Sequence, residues 1–209
     1  MKPRISQALL SLLVAALVAF LLWIKQHSSQ DTHRSAPSPA SKASKWETLS
    51  PCHLVTNHNN DGDSFVVSHE GRTHTFRLYF VDCPETHLRR DNGDRLEDQA
   101  HYFQLPSPEA AASVGQAATA FVDALLQRPF TVVTHWERVF DSQRFYAQVI
   151  VQTDAGASRD LAELLVEHGY ARIFTKGANL PHAVGEGQFK QRLHALESAS
   201  RAAQKGAWK

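Results

Sequence analysis

A chain of 209 residues, 43% of them hydrophobic, has room for one ordinary domain with extras and enough apolar content to bury a core. Its 22 Lys and Arg balance 21 Asp and Glu, and the net charge of +1 excludes binding to nucleic acid by a generally basic surface. Affinity for phosphate must therefore come from locally placed residues.

At the N-terminus, Lys2 and Arg4 precede an apolar run from Ala8 to Ile24 that is interrupted only by Ser11. As a helix rising about 1.5 Å per residue this run spans roughly 26 Å, close to a bilayer core of about 30 Å once Trp23 and Lys25 sit at the interface. Residues 1–26 are expected to be a membrane anchor or a signal peptide. Phe20-Leu21-Leu22-Trp23-Ile24 ends the run in bulky residues where a cleavage site needs small ones, which favours a retained transmembrane helix. Lys2 and Arg4 favour a cytoplasmic N-terminus, so the rest is expected outside the cytoplasm, periplasmic or extracellular, and secreted if the segment is cleaved. Residues 27–45, rich in Ser, Ala, Lys and Pro, read as a flexible linker, and 46–209 as the folded domain.

Within the domain, His53-Leu54-Val55 and Ser64–Ser68 carry strand signals, and His69-Glu70-Gly71-Arg72 reads as a turn. Thr73–Val81 alternates, with Phe76, Leu78 and Phe80 on one face and Arg77, Tyr79 and Val81 on the other, completing a hairpin. Arg77 in such a strand destabilises it unless a carboxylate or other anion meets it. The polar stretch from Thr86 to Pro108 reads as a long surface loop. Helical spacing follows over Ala110–Leu126, then strands over Phe130–Trp136 and Phe145–Val151, then helices over Leu161–His168 and Phe189–Gln204, closed by Gly169 and Gly206. The order predicts an α+β fold: a five-stranded OB-type β-barrel with three packed α-helices, preceded by an N-terminal transmembrane helix. Cys52 and Cys83 lack the paired Cys/His spacing that holds zinc; export would permit a disulfide between them.

Two segments concentrate the chemistry. Asp61-Gly62-Asp63-Ser64 precedes a strand, and Arg77-Leu78-Tyr79-Phe80-Val81-Asp82-Cys83-Pro84-Glu85-Thr86 ends the hairpin. Together they offer up to four carboxylates, and a hairpin brings the Asp63 end of one strand beside the Asp82 end of the next, the oxygen-rich setting that calcium takes. Asn57, Asn59, Asp61 and Gly62 mimic the start of an EF-hand loop, but the twelfth position is Ser68, which excludes it.

In these segments the chain resembles the thermonuclease (staphylococcal nuclease-like) family, as it does in Arg144, in Leu161–Ala171 and in the closing Gly206-Ala207-Trp208. The resemblance covers roughly residues 52 to 209. It implies a calcium-dependent nuclease that hydrolyses phosphodiester bonds of DNA or RNA and leaves 3′-phosphate and 5′-hydroxyl ends. Asp63, Asp82 and the backbone carbonyl of Cys83 would hold Ca2+, Glu85 would be the general base, and Arg77 and Arg144 would clamp the phosphate. Singly, each of these residues has an ordinary explanation as a turn or an ion pair; in this order they point to an enzyme.

Departures from the pattern are also visible. Asp141-Ser142-Gln143-Arg144 is a shorter turn lacking the family's Lys and Tyr, and Thr175 stands where a substrate-stacking Tyr is expected, which leaves stacking to Phe140, Phe145 or Tyr102. Cys83 replaces a Thr or Ala. The 12 histidines are scattered, His87 alone lying near Glu85. Two alternatives are a non-catalytic nucleic-acid or protein-binding module of the same fold and an anchored adaptor presenting the 86–108 loop. The presence of Asp63, Arg77, Asp82, Glu85 and Arg144 together favours the enzyme.

Overall fold

The computed structural model describes residues 45–181 and 184–209. The anchor expected over 1–26 and, save for Lys45, the linker over 27–45 lie outside the described residues. Among those described, no helix is long and apolar enough to cross a membrane.

Strand β1 (Glu47–Leu54) leads into the hairpin of β2 (Ser64–His69) and β3 (Arg72–Leu78). Glu70 and Gly71, at φ 48° and 76°, form a turn whose left-handed residues suit the twist of the flanking strands. The third strand does not run on through Val81 as its alternation suggests. Tyr79 and Phe80 are both buried, Phe80 takes a φ of 70°, and the chain bends into a separate strand, β4 (Val81–Asp82). After the bend β4 leaves the hairpin and pairs with β8 (Arg172–Ile173), setting Asp82 opposite Arg172.

Strands β5 (Phe130–Thr134) and β6 (Arg144–Gln152) complete the barrel. β1 pairs antiparallel with β2 and β5, and β6 pairs antiparallel with β5 through its later residues. Its first residues pair parallel with β3, Thr75 opposite Arg144 and Arg77 opposite Tyr146, which closes five strands into the expected OB-type barrel. A short strand, β7 (Ser158–Asp160), extends β6 outside the ring. Phe65, Phe76, Leu78, Val132 and Val149 fill the interior.

Among the described residues four α-helices pack around the barrel, not three: α1 (Gly93–Phe103), α2 (Pro108–Leu126), α3 (Leu161–Glu167) and α4 (Glu186–Ala202), followed by a 3-10 turn at Gly206–Trp208. α1 corrects the reading of 86–108 as a loop. Its Leu96, Ala100 and Phe103 recur at helical spacing and are buried, the first two beside Ala111 and Ala112 of α2. Asp94, Arg95, Glu97 and Asp98 interleave with them and mask the period in the sequence. Ser107 starts α2 by accepting from the N–H of Ala110, and Asp160 starts α3 by accepting from those of Ala162 and Glu163. Both cysteines are free and buried, the Cys52 thiol donating to Leu49 O at 3.3 Å.

α2 lies directly against the segment after β4. A Cβ on Gly115 would stand 2.4 Å from Pro84 O and 2.5 Å from Glu85 O, far inside contact distance, so the helix can rest there only on glycine. Gly115→Ala should therefore lower stability by about 1–3 kcal/mol, the usual cost of forcing a methyl into packed backbone. Urea denaturation checks this, and an unchanged midpoint would show that the contact is slack.

Candidate active site

The hairpin register explains why the two acidic segments meet. Ser64 pairs with Arg77, and Leu78 N–H donates to Asp63 O at 2.8 Å, so Asp63 lies beside the end of β3 where the chain bends toward Asp82. Asp61 shapes the approach, its Oδ1 accepting from the N–H groups of Asp63 and Ser64 at 3.0 and 2.7 Å. Arg77 sits between the two carboxylates. Its Nη1 is 3.0 Å from Asp63 Oδ1 and its Nη2 donates to Asp82 Oδ1 at 2.6 Å, which answers the burial of a cation in a strand.

Asp82 is the most heavily bonded of these groups. Oδ1 accepts from Arg77 and, at 2.6 Å, from Arg95 Nη2; Oδ2 accepts from Gln99 Nε2 at 3.0 Å and Arg172 Nε at 2.8 Å. Burial alone would raise this carboxyl, but Arg95, Arg77, the Gln99 amide and Arg172 hold it below the usual range. Asp63 is the opposite case. Burial and then nearby Asp61 push its carboxyl well up, with Arg77 pulling against them. Its Oδ2 accepts from Cys83 N–H at 2.7 Å, while Oδ1 is buried and lacks any hydrogen bond, since Arg77 Nη1 is near but not aligned. An orphaned buried carboxylate oxygen beside a second carboxylate suits a cation, and both Asp63 and the Cys83 carbonyl are hard oxygen donors of the kind calcium takes. Cys83 O already accepts from Gln99 Nε2 at 3.0 Å.

Glu85 follows on the segment seated against Gly115; its backbone N–H donates to Gln99 Oε1 at 3.1 Å, and its Oε1 lies 2.8 Å from Arg95 Nη1. Arg144 opens β6, its Nη1 donating to Ser64 Oγ at 3.2 Å. A cavity of about 510 Å3 runs past this cluster, lined by Arg77, Asp82, Arg95, Arg144, Phe140 and Phe174 among others. Asp63, Cys83 and Glu85 are not among the residues that line it.

Residues 75–209 match a family model described as staphylococcal nuclease homologue. The chain belongs to the staphylococcal nuclease family. This is a family of nucleases, and its barrel is the one built here. Asp63 falls just before the matched segment and enters the site through the pairing of β2 with β3. No curated protein gives a match to the chain.

The cluster has members that the sequence reading passed over. Arg95 and Gln99 come from the helix read as loop, and Arg172 from β8. Of the three aromatics expected to stack bases, only Phe140 lines the cavity, 86% exposed. Phe145 packs against Trp136, and Tyr102 bonds Glu197 and leans on Trp208. Phe174, 65% exposed, is the second aromatic of the cleft, with the Arg172 guanidinium 3.9 Å from its ring centroid. Thr175 is structural, its hydroxyl donating to Leu78 O and Val81 O at 3.3 and 3.2 Å. His87 meets Thr86 Oγ1 at 2.9 Å and is not in the cleft lining.

The unequal bonding of the two aspartates gives unequal stability effects. Asp82→Asn strips the common partner from Arg77, Arg95 and Arg172 and should cost about 3–5 kcal/mol, the range for breaking a buried ion pair, whereas Asp63→Asn should cost much less. Because the folded Asp82 carboxyl lies below its ordinary value of 3.8, the wild-type advantage over Asp82→Asn is full above that value and shrinks as the pH falls below it. Urea titrations of the variants from pH 7 to pH 3 measure both effects; equal losses at the two positions would refute the asymmetry.

Proposed function

We propose that the chain is a calcium-dependent nuclease that hydrolyses phosphodiester bonds of DNA or RNA, leaving 3′-phosphate and 5′-hydroxyl ends. The observation that carries this reading is the meeting of Asp63, Asp82 and Arg77 in one buried cluster at the edge of a cleft that Arg144 also lines, with Asp63 Oδ1 left without a hydrogen bond.

In this reading Asp63, Asp82 and the Cys83 carbonyl would hold Ca2+, which when bound would lower the pKa of water and offset charge on a phosphate oxygen. Glu85 takes a proton from the attacking water, directly or by orienting it, as the oxygen of that water bonds to phosphorus and the bond to the 5′ oxygen breaks. Arg77 and Arg144 donate to the non-bridging oxygens as negative charge builds on them, a task that suits the planar fork of guanidinium better than an ammonium. The Asp82 carboxylate keeps the Arg77 plane fixed, so that little reorganisation is needed during the reaction. Phe140 and Phe174 offer exposed ring faces to the bases, at roughly 1–3 kcal/mol for each base stacked.

A zymogram on DNA and on RNA, with calcium and with chelator, tests the reading. Cleavage with calcium and none with chelator is expected, with Glu85→Gln at least about a hundredfold slower yet binding a short oligonucleotide nearly as well, as loss of a general base requires. Full activity in chelator would sink the metal assignment, and an equal loss of affinity in Glu85→Gln would make that residue structural.

The same reading extends to location. Residues 1–26 anchor the protein, 27–45 tether it, and the nuclease domain of 46–209 faces outward, where free calcium is plentiful. Intact protein should fractionate with membranes, and deletion of residues 1–45 should release soluble nuclease of undiminished specific activity. A mature N-terminus between residues 20 and 45 would instead identify a cleaved signal peptide.

A further inference from the structure

The reaction proposed above asks most of two carboxylates, Asp82 and Glu85, and one side chain engages both. Arg95 donates through Nη2 to Asp82 Oδ1 at 2.6 Å, while its Nη1 lies 2.8 Å from Glu85 Oε1. A guanidinium in this position neutralises the pair that a divalent cation and a general base would need free.

The four donors on Asp82 are not alike. Arg77, Gln99 and Arg172 are buried, but the Arg95 side chain is 42% exposed and borders the cleft. Arg95 is thus the donor that can leave without opening the core. Its place on α1 also makes departure easier. It stands in the first turn, where the helix dipole disfavours a cation, and Asn92 gives that end no side-chain cap. Leu96, Ala100 and Phe103, on the buried face of α1, keep the helix seated whether or not Arg95 holds its carboxylates. Local charge points the same way. Asp63, Asp82 and Glu85 are matched by Arg77, Arg95 and Arg172, so the loss of Arg95 from the pair leaves a negative cluster that favours a divalent ion.

We propose that Arg95 is a resident cation that competes with the metal for Asp82 and holds Glu85 out of use, so that metal entry and release of the general base are one event. The inference rests on the calcium-dependent reading above. Arg95 acts through the two carboxylates and is a positioning residue. Competition of this kind raises the apparent Kd for calcium by the reciprocal of the fraction of molecules in which Arg95 has released the pair.

The test is calcium binding, measured apart from activity, by calorimetry and by terbium luminescence on the full chain in detergent. Arg95→Ala should bind calcium at least about tenfold more tightly than wild type, and Arg95→Lys, which keeps the charge but loses the fork, should fall between them. Arg138→Ala supplies the control, because Arg138 lines the same cleft and makes no ion pair with the acidic cluster. Its calcium affinity should match wild type. Equal affinity in wild type and Arg95→Ala would overturn the proposal and leave calcium dependence standing, as would a comparable tightening in Arg138→Ala, which would reduce the effect to a general field. Should Arg95→Ala fail to fold, Arg95→Lys decides: affinity no tighter than wild type overturns the proposal. Absence of calcium binding in every variant, wild type included, would remove the calcium reading and this inference with it.

Discussion

One buried carboxylate organises the working end of this barrel. Asp82 accepts from residues on three separate elements, Arg77 of the hairpin, Arg95 and Gln99 of α1, and Arg172 of β8. A charge taken so far from water is tolerable only when its lone pairs are met, so the buried donors, Arg77, Gln99 and Arg172, are fixed by the same requirement. The bend at Phe80 is what brings Asp82 out of the hairpin plane to receive them. Without that bend β4 could not reach β8, and Arg172 would be a buried cation with no partner.

Asp63 supplies the contrast that gives the cluster its chemistry. The two aspartates share Arg77, yet one is saturated and the other keeps an oxygen without a hydrogen bond. Natural structures rarely leave such an atom bare, and where they do a functional explanation is the first to examine. A fixed frame around Asp82 beside an underused acceptor at Asp63 separates the task of holding the fold from the task of meeting a ligand. The separation is incomplete, because Arg77 belongs to both and, on the proposed reading, Asp82 is itself a metal ligand.

Much of this was legible in the residues. Hairpin alternation and its turn located Asp63, Arg77 and Asp82 relative to one another, and the odd Arg in a strand correctly demanded a carboxylate. The strand order indicated the barrel. Illegible was the share of the site that comes from distant, irregular segments. Charged residues hid α1, although Leu96, Ala100 and Phe103 keep the spacing of a buried face. Arg172 carried the same signal as Arg77, a cation between Ala171 and Ile173 in an apolar stretch, and passed unremarked because that stretch is so short. Stacking aromatics were the least readable, since exposure of Phe140 and partial burial of Phe145 depend on how one turn folds back, with Phe140 itself at a φ of 49°.

The closing of the ring by a parallel pair has a consequence for when the protein becomes active. β3 and β6 are far apart in the chain, with two helices and two strands between them, and Arg144 reaches Ser64 only after they join. Pairings this remote form late, because the entropy of closing the intervening chain must be overcome before the contacts return anything. Arg172 comes later still. A polypeptide that is unfinished or held unfolded has the acidic hairpin motif but neither Arg144 nor Arg172 in place, and on the proposed reading it would not cleave nucleic acid. On that reading, topology itself would act as a safety catch during synthesis.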